Sequence, residues 1–438
     1  MGKSINKFKL KKDLNQIAFK GLENYKNGTA NAVFIQLIDE KKALIKVFKH
    51  LIAQLFFCSP KYGLHKKEND NLLFFFSQSY VTRKDHFYTF EKFIKKIENG
   101  ASYIVESNNA KRKISISSVK EIKYAFCWMH QMKDINLHFL NKLQLVANMI
   151  EVKKFLDEVK KEIDVTVFDL LVTFCDAYLI DNYFTQYCNQ KGLITATLQH
   201  GQFLESNEEE DFFSSGFEGF ASDYFLAWGE YTKKQAVKSG IQDEKIVCVG
   251  VPQYVDDEIK EQKNSNRFGR FCVILDGNDY SKDNDQMVKV VDHFAKKTNL
   301  EYSIKLHPAA IKKDYANEIN SNNFIGYISI ECRIKDLIRK YDFFIVSNSS
   351  VLTELVYFHQ IVFHKIPEFG KNNYKDLEIG SFKTELELNY LYEQWLKYPN
   401  VIEKNARLLF EYLCTTKEVQ KSYSKFLKNM ELKKGMDN

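Results

Sequence analysis

The stretch VTVFDLLVTFCDAYLIDNYFTQYCNQKGLITATLQHG, Val165–Gly201, decides the architecture of this 438-residue chain. Val165–Cys175 is a nearly continuous apolar run, the pattern a parallel strand buried on both faces needs, and Asp176 ends it. About a dozen residues of helical pattern follow and stop at Lys191-Gly192, with Gly as the cap. Leu193–Leu198 is again strand-like and runs into Gln199-His200-Gly201.

The alternation continues downstream. Strands are expected at Asp223–Trp228 and Lys245–Gly250, around a helix at Gly229–Ser239 capped by Gly240. After a polar, charged stretch at 256–270, strands recur at Phe271–Leu275, Tyr302–Lys305, Phe324–Ile328, Phe343–Val346 and Ile361–Phe363. Helices are expected between them, at about 283–297, 334–341 and 351–359, and a long amphipathic one at about 401–427 closes the chain. Upstream the pattern is weaker: helices at Ala43–Phe57 and Phe139–Val159, strands at Asn71–Phe76 and Ser102–Val105. The prediction is an α/β protein of two doubly wound, Rossmann-like domains facing a cleft. Residues 1–255 form the first domain, 256–270 the linker, 271–398 the second domain, and 399–438 a C-terminal helix with a basic tail.

Composition bounds the function. With 5 Pro, 18 Gly and 45% hydrophobic residues, the chain is neither collagenous nor broadly disordered. Apolar clusters such as Leu72–Phe76 fall far short of the roughly 20 residues a membrane span needs. The opening MGKSINKFKLKK has charge but no apolar core, so no secretory signal is seen and a cytoplasmic protein is expected. The net charge of +6 is Lys-rich: of 63 basic residues only seven are Arg, which argues against a dedicated nucleic-acid binder. Lysines concentrate at both termini, as solvated helix faces do, or as attraction to an anionic membrane surface or acceptor would require. The eight cysteines form no CxxC pair and lie near no zinc-like His spacing, so reduced thiols and no metal are expected.

In doubly wound sheets ligands bind beyond the carboxyl ends of strands, so chemistry is sought there. His200 follows one such strand, next to Gly201, and imidazole is the natural base near neutral pH. His307-Pro308 ends another, with Pro fixing the turn. Ser347-Asn348-Ser349-Ser350 offers more hydroxyls at a helix start than capping needs, which suits an anion, and Glu354 lies one turn on. Asp276-Gly277 follows Phe271–Leu275 and could contact a ligand from the cleft side, a turn being the commoner explanation. Asp176 is correctly placed, and the acidic run Glu208–Asp211 reads as a solvated loop. Asp283-Asn284-Asp285 resembles a metal-binding DxD but reads as a helix cap.

LQHG (Leu198–Gly201), WGEYTKKQAVKSGI…VCVGVP (Trp228–Pro252), KLHP (Lys305–Pro308) and SNSSVLTE (Ser347–Glu354), in this order, resemble the two-domain glycosyltransferase fold GT-B. The likeness is to bacterial capsule-synthesis and teichoic-acid glycerophosphotransferase families, and covers about residues 165–365. Gly250–Pro252 and the Ser-rich turn also look like nucleotide-sugar 2-epimerases. The resemblance implies a nucleotide-activated sugar or polyol donor, with no separate cofactor, and a polysaccharide or lipid-linked acceptor. It implies His200 as general base in an acceptor-side domain, with Gln199, Gly201 and Asp176 beside it. In the donor-side domain it implies His307 and Pro308 at the donor phosphate, Ser349 and Ser350 on phosphate oxygens, Glu354 on the ribose, and Asp276 and Gly277 lining the donor. It further implies metal-free chemistry. The basic ends and a helical N-terminal region with Phe56 and Phe57 would hold such an enzyme near the inner leaflet of the membrane. The acidic-acidic-Gly motif of sialyltransferases has no match in the first domain. A 2-epimerase and a non-catalytic scaffold are the competing readings.

Overall fold

In the computed structural model the alternation becomes two sheets, each in its own unit. The structure describes residues 7–28, 40–57, 61–66, 71–77, 84–97, 102–107, 118–201, 220–254, 269–277, 280–307, 315, 317–370, 372, 374–375, 377–416 and 418–437. The first unit comprises Met1–Trp228, Thr232–Asp256 and Glu418–Asn438, and the second Gly229–Tyr231 and Asp257–Lys417.

The first unit holds strands β1 (Lys61–His65), β2 (Leu72–Ser77), β3 (Ser102–Ser107), β4 (Leu170–Thr173), β5 (Ile194–Leu198), β6 (Tyr224–Ala227) and β7 (Ile246–Cys248). Their order is β1-β3-β2-β4-β5-β6-β7, parallel except for β1, which runs antiparallel to β3. Every residue of β2 and β4 is buried, as a sheet covered on both faces requires. Strand periodicity splits the core in two: Leu73, Phe75 and Leu171 meet the long helix Phe139–Glu162, while Phe74, Phe76 and Val172 meet Phe90 and Phe93. The same second face takes Tyr423 and Phe426 from the C-terminal helix Val419–Asp437.

The second unit holds β8 (Arg270–Ile274), β9 (Glu301–Lys305), β10 (Phe324–Ile328), β11 (Phe344–Val346), β12 (Val362–Lys365) and β13 (Ser381–Phe382). The order β10-β9-β8-β11-β12-β13 is parallel throughout, the 3-2-1-4-5-6 winding of a dinucleotide-binding sheet. Phe271, Phe294, Tyr302 and Phe343 centre its own core.

Several expectations are corrected. Val165–Val167 is a 3₁₀ turn rather than the start of a strand, because Asp164 accepts hydrogen bonds from the Thr166 amide and hydroxyl and so favours a turn. The helix near 334–341 is only Ile334–Leu337. The closing helix is two, Pro399–Cys414 and Val419–Asp437, and the second half joins the first unit. Of the expected linker, only Gly269 and Arg270 are described, and Arg270 already starts β8. Phe56 is half-buried and packs against the first unit's core; the side chain of Phe57 lies outside the described residues. Cys127, Cys175, Cys188, Cys248, Cys272, Cys332 and Cys414 carry no disulfide, and three of them (Cys127, Cys248, Cys332) are only half-buried. Among the described residues, no helix is long and apolar enough to cross a membrane.

Candidate functional site

In the first unit the strand order reverses between β2 and β4, so ligand chemistry is sought after those strands and their neighbour β5. Asp176, three residues past the end of β4, is buried, and its Oδ2 accepts from the Ala221 amide, the Ser222 amide and the Ser222 hydroxyl at 2.8, 2.8 and 2.7 Å. Burial pushes its carboxyl up to about 6 against those three bonds. Asp176 therefore fastens the entry to β6 onto the end of β4. Gln199 is likewise spent within the protein. Its Oε1 accepts from the Trp228 amide at 2.7 Å, its Nε2 donates to the Gly201 carbonyl at 2.9 Å, and its own carbonyl accepts from the Trp228 indole at 2.8 Å.

Those bonds set the backbone on both sides of His200. Its imidazole is half-buried, with Nε2 3.8 Å from Cys175 Sγ and its ring 5.5 Å from Tyr178 and 6.1 Å from Phe174. Burial, then the charges of Asp176 and Asp181, push the Cys175 thiol well up, so it stays neutral beside the imidazole. A small pocket opens here, lined by Cys175, Asp176, Leu198, His200, Phe220 and Phe225 among others. At Gly201 a side chain would meet no described atom within 4 Å. His86, on the helix Lys84–Ile97 that follows β2, brings its ring to 6.2 Å from that of His200. Sequence reading found the strand Asn71–Phe76 but passed over His86, which stands nine residues beyond the end of β2, on the following helix, and not at the strand end itself. Glu208–Asp211 lie outside the described residues.

In the second unit the order reverses between β8 and β11. Register puts Ile274 opposite both Lys305 and Val346, so the residues just beyond three strands reach one level. Asp276 Oδ2 accepts from the Asn348 amide at 3.0 Å, which ties the β8 and β11 loops together. Asn284 braces the same loop from below, its side chain exchanging two hydrogen bonds with the Asp276 backbone at 3.0 and 3.1 Å. Burial pushes the Asp276 carboxyl up to about 6, with the Asn348 amide opposing and Asp283 adding to the rise. Asp276 Oδ1 and Ser347 Oγ, both deeply buried, make no hydrogen bond; the hydroxyl lies near enough to favour the carboxylate without closing one of normal geometry. His307 closes the cluster: a Cβ placed on Gly277 would stand 3.6 Å from its Nδ1.

The Ser turn divides its roles. Ser349 is buried, and its carbonyl accepts from the Tyr374 hydroxyl at 2.9 Å. Ser350 occupies the cap of the helix Val351–Tyr357 yet makes no side-chain capping bond, and it is exposed. Glu354 is half-buried on that helix, and its charge favours the ionised form of Lys305. Lys305 was overlooked within its motif. Its buried ammonium donates to the carbonyls of Ser329 and Ile330 at 3.2 and 3.3 Å, and burial pulls its pKa down. Asp283 does not cap its helix: its two oxygens accept from the amides of Glu368, Phe369 and Gly370 and hold that loop. Pro308 lies outside the described residues. Among those residues no cluster of His, Cys, Asp and Glu is arranged to hold a metal ion.

Two doubly wound units, the second in dinucleotide-fold order, with strand-end polar clusters in each, define the GT-B fold class. Solved structures agree. The chain is similar to Staphylococcus aureus MnaA in complex with UDP, at 11% identity over 80% of this chain and 94% of that one, with a TM-score of 0.50. It is equally similar to the UDP-GlcNAc 2-epimerase of Neisseria meningitidis bound to UDP-GlcNAc, at 12% identity over 83% and 99%, TM-score 0.50. The lipopolysaccharide outer core galactosyltransferase WaaB follows at 13% identity over 82% and 99%, TM-score 0.45. At these identities the likeness is one of fold. No protein-family model matches the sequence. No curated protein matches it either.

Proposed function

We propose that the protein transfers a sugar, or a polyol phosphate, from a nucleotide-activated donor to a hydroxyl of a growing surface polysaccharide or its lipid-linked primer. The observation that carries this reading is the convergence, in the second unit, of His307, Gly277, Asp276 and the Ser347–Ser350 turn at the point where strand order reverses. That is the position at which a doubly wound sheet takes a nucleotide. The unpartnered Asp276 Oδ1 and Ser347 Oγ supply buried polar atoms for a ligand to satisfy. The exposed Ser350 hydroxyl and His307 serve the donor phosphates, and Glu354 a ribose hydroxyl.

In the first unit His200 acts as base. The acceptor oxygen gives its proton to the imidazole and forms a bond to the donor's anomeric carbon, or to its phosphorus for a polyol phosphate. The bond from that atom to the leaving nucleotide's oxygen breaks, and its electron pair departs with the nucleotide. His307 meets the charge that develops there. Gln199 and Asp176 are positioning residues in this scheme, since both are consumed by internal hydrogen bonds.

The test is transfer and binding on a panel of UDP-, CDP- and CMP-linked donors. His200→Ala is expected to lower transfer by roughly 10²–10⁴-fold with nucleotide binding retained, and His307→Ala to weaken binding as well. Unchanged transfer in both variants overturns the assignment. Release of free epimerised sugar without an acceptor would replace it with the 2-epimerase reading, and absence of nucleotide binding with the scaffold. Chelation should leave the rate unchanged.

A further inference from the structure

The helix Glu40–Ile52 of the first unit is apolar on two sides. On one, Val47 joins Leu140 and Leu143 of the long helix in a small buried cluster, with Leu51 packed against it. On the other, Ile45, Phe48 and Ile52, spaced i, i+3 and i+7, form a stripe that remains 61%, 39% and 46% exposed. A helix that only covers a core needs the first face alone. Apolar side chains aligned along one helix face and left in water mark interaction surfaces. The stripe has company: Phe139 (56% exposed) immediately precedes Leu140, and Phe126 (75% exposed) lies one turn before Met129, which packs on that same cluster.

Charge selects the occupant. Lys46 and Lys49 are exposed beside the stripe, and the helix as a sequence holds four lysines against one glutamate. A two-fold contact with a second copy would bring this face against itself, lysines included. A negatively charged bilayer surface instead satisfies both features, taking the apolar stripe at the boundary of headgroup and acyl chain and the lysines among the headgroups. We propose that this helix face docks the first unit onto an anionic lipid membrane. The inference deepens the reading of a lipid-linked acceptor and rests on it for the reason a membrane is near, but the contact itself needs neither donor nor acceptor.

The test is flotation of the full chain with vesicles of phosphatidylcholine containing phosphatidylglycerol, and of phosphatidylcholine alone. Binding is expected to the anionic vesicles, weakening with salt. The double variant Ile45→Asp, Phe48→Asp should bind about tenfold more weakly or less, with an unchanged melting temperature because both residues face water. Lys46→Glu with Lys49→Glu should lose about fivefold per lysine and flatten the salt dependence. No binding by the unmodified chain, or undiminished binding by the Ile45/Phe48 variant, overturns the proposal. So does a dimer that this variant dissociates without any vesicle binding. Vesicle binding with no transfer to any acceptor would uphold the docking face and remove the transferase reading.

Discussion

Asp176 was legible as a strand-end acid, but its partner was not. The group that claims its carboxylate, Ser222, stands 46 residues further on and beyond a segment with no regular pattern. The pairing of β4 with β5 and of β5 with β6 brings the two together. The consequence is measurable. In the folded chain burial holds the carboxyl at about 6, against about 4 for an exposed aspartate. Between those values the folded state keeps a proton the unfolded chain has released. Asp176 thus contributes most to stability below about pH 4, and that contribution is lost as pH rises through about 6. Asp176→Asn keeps an oxygen for Ala221 and Ser222 and cannot ionise. Its melting temperature relative to the unmodified chain should therefore climb across pH 4–6.5 and level off above. Asp176→Ala strands those buried donors and should cost about 2–4 kcal/mol below about pH 4, a cost that shrinks as pH rises through about 6. A flat difference between Asn and Asp across this range, measured by thermal melts, would show that the carboxyl is ionised throughout.

At the scale of elements, the sequence pattern located most strands and helices after residue 164, because short apolar runs bounded by Gly and charged residues permit few alternatives. It missed β1 and β13, which sit at sheet edges where a strand needs only one paired side and little apolar content. It also ran two helices into one near residue 415, since amphipathic spacing persists across the joint. The break is a backbone event. Thr415 takes φ 57° and ψ −53°, and the Thr416 amide donates to the Cys414 carbonyl across it, which makes a γ-turn with a β-branched residue at its centre. That conformation costs a non-glycine residue about 1–3 kcal/mol, whereas glycine adopts it freely at an entropic cost of about 0.5–1 kcal/mol. The side chain is exposed, so little packing is lost by removing it. Thr415→Gly should accordingly stabilise the second unit by about 1 kcal/mol, a rise of about 2 °C in its melting temperature. Thr415→Ala keeps the strained φ and should give no gain; equal behaviour of the two variants would place the strain elsewhere.

For the whole molecule, the alternation on either side of residues 256–270 was enough to predict two wound sheets. It was not enough to show which unit the C-terminal residues join. Helix Val419–Asp437 returns to the first unit, where Val419, Tyr423, Phe426, Leu427 and Met430 are buried in the core facing β2 and β4. Tyr423 stacks edge-on to Phe93 at 4.6 Å, and its hydroxyl donates to the Gly250 carbonyl at 3.3 Å. Five buried side chains at about 1.5–3 kcal/mol each amount to about 10 kcal/mol, comparable to the entire stability of a domain. The segment Val419–Met430 is therefore part of the first unit's core, although it follows the whole of the second in sequence. Phe426→Ala should cost about 3–5 kcal/mol. That loss should fall on the first unit alone, because the second unit's core, built around Phe271, Phe294 and Phe343, shares no residue with it. Hydrogen exchange read peptide by peptide separates the cases. In Phe426→Ala, amides of β4 and β5 should exchange faster by two or more orders of magnitude, about 1.4 kcal/mol being a factor of ten, while those of β8 and β11 hold their rates. Equal acceleration in both sheets would mean that the two units unfold together and that the tail stabilises the chain as one cooperative body.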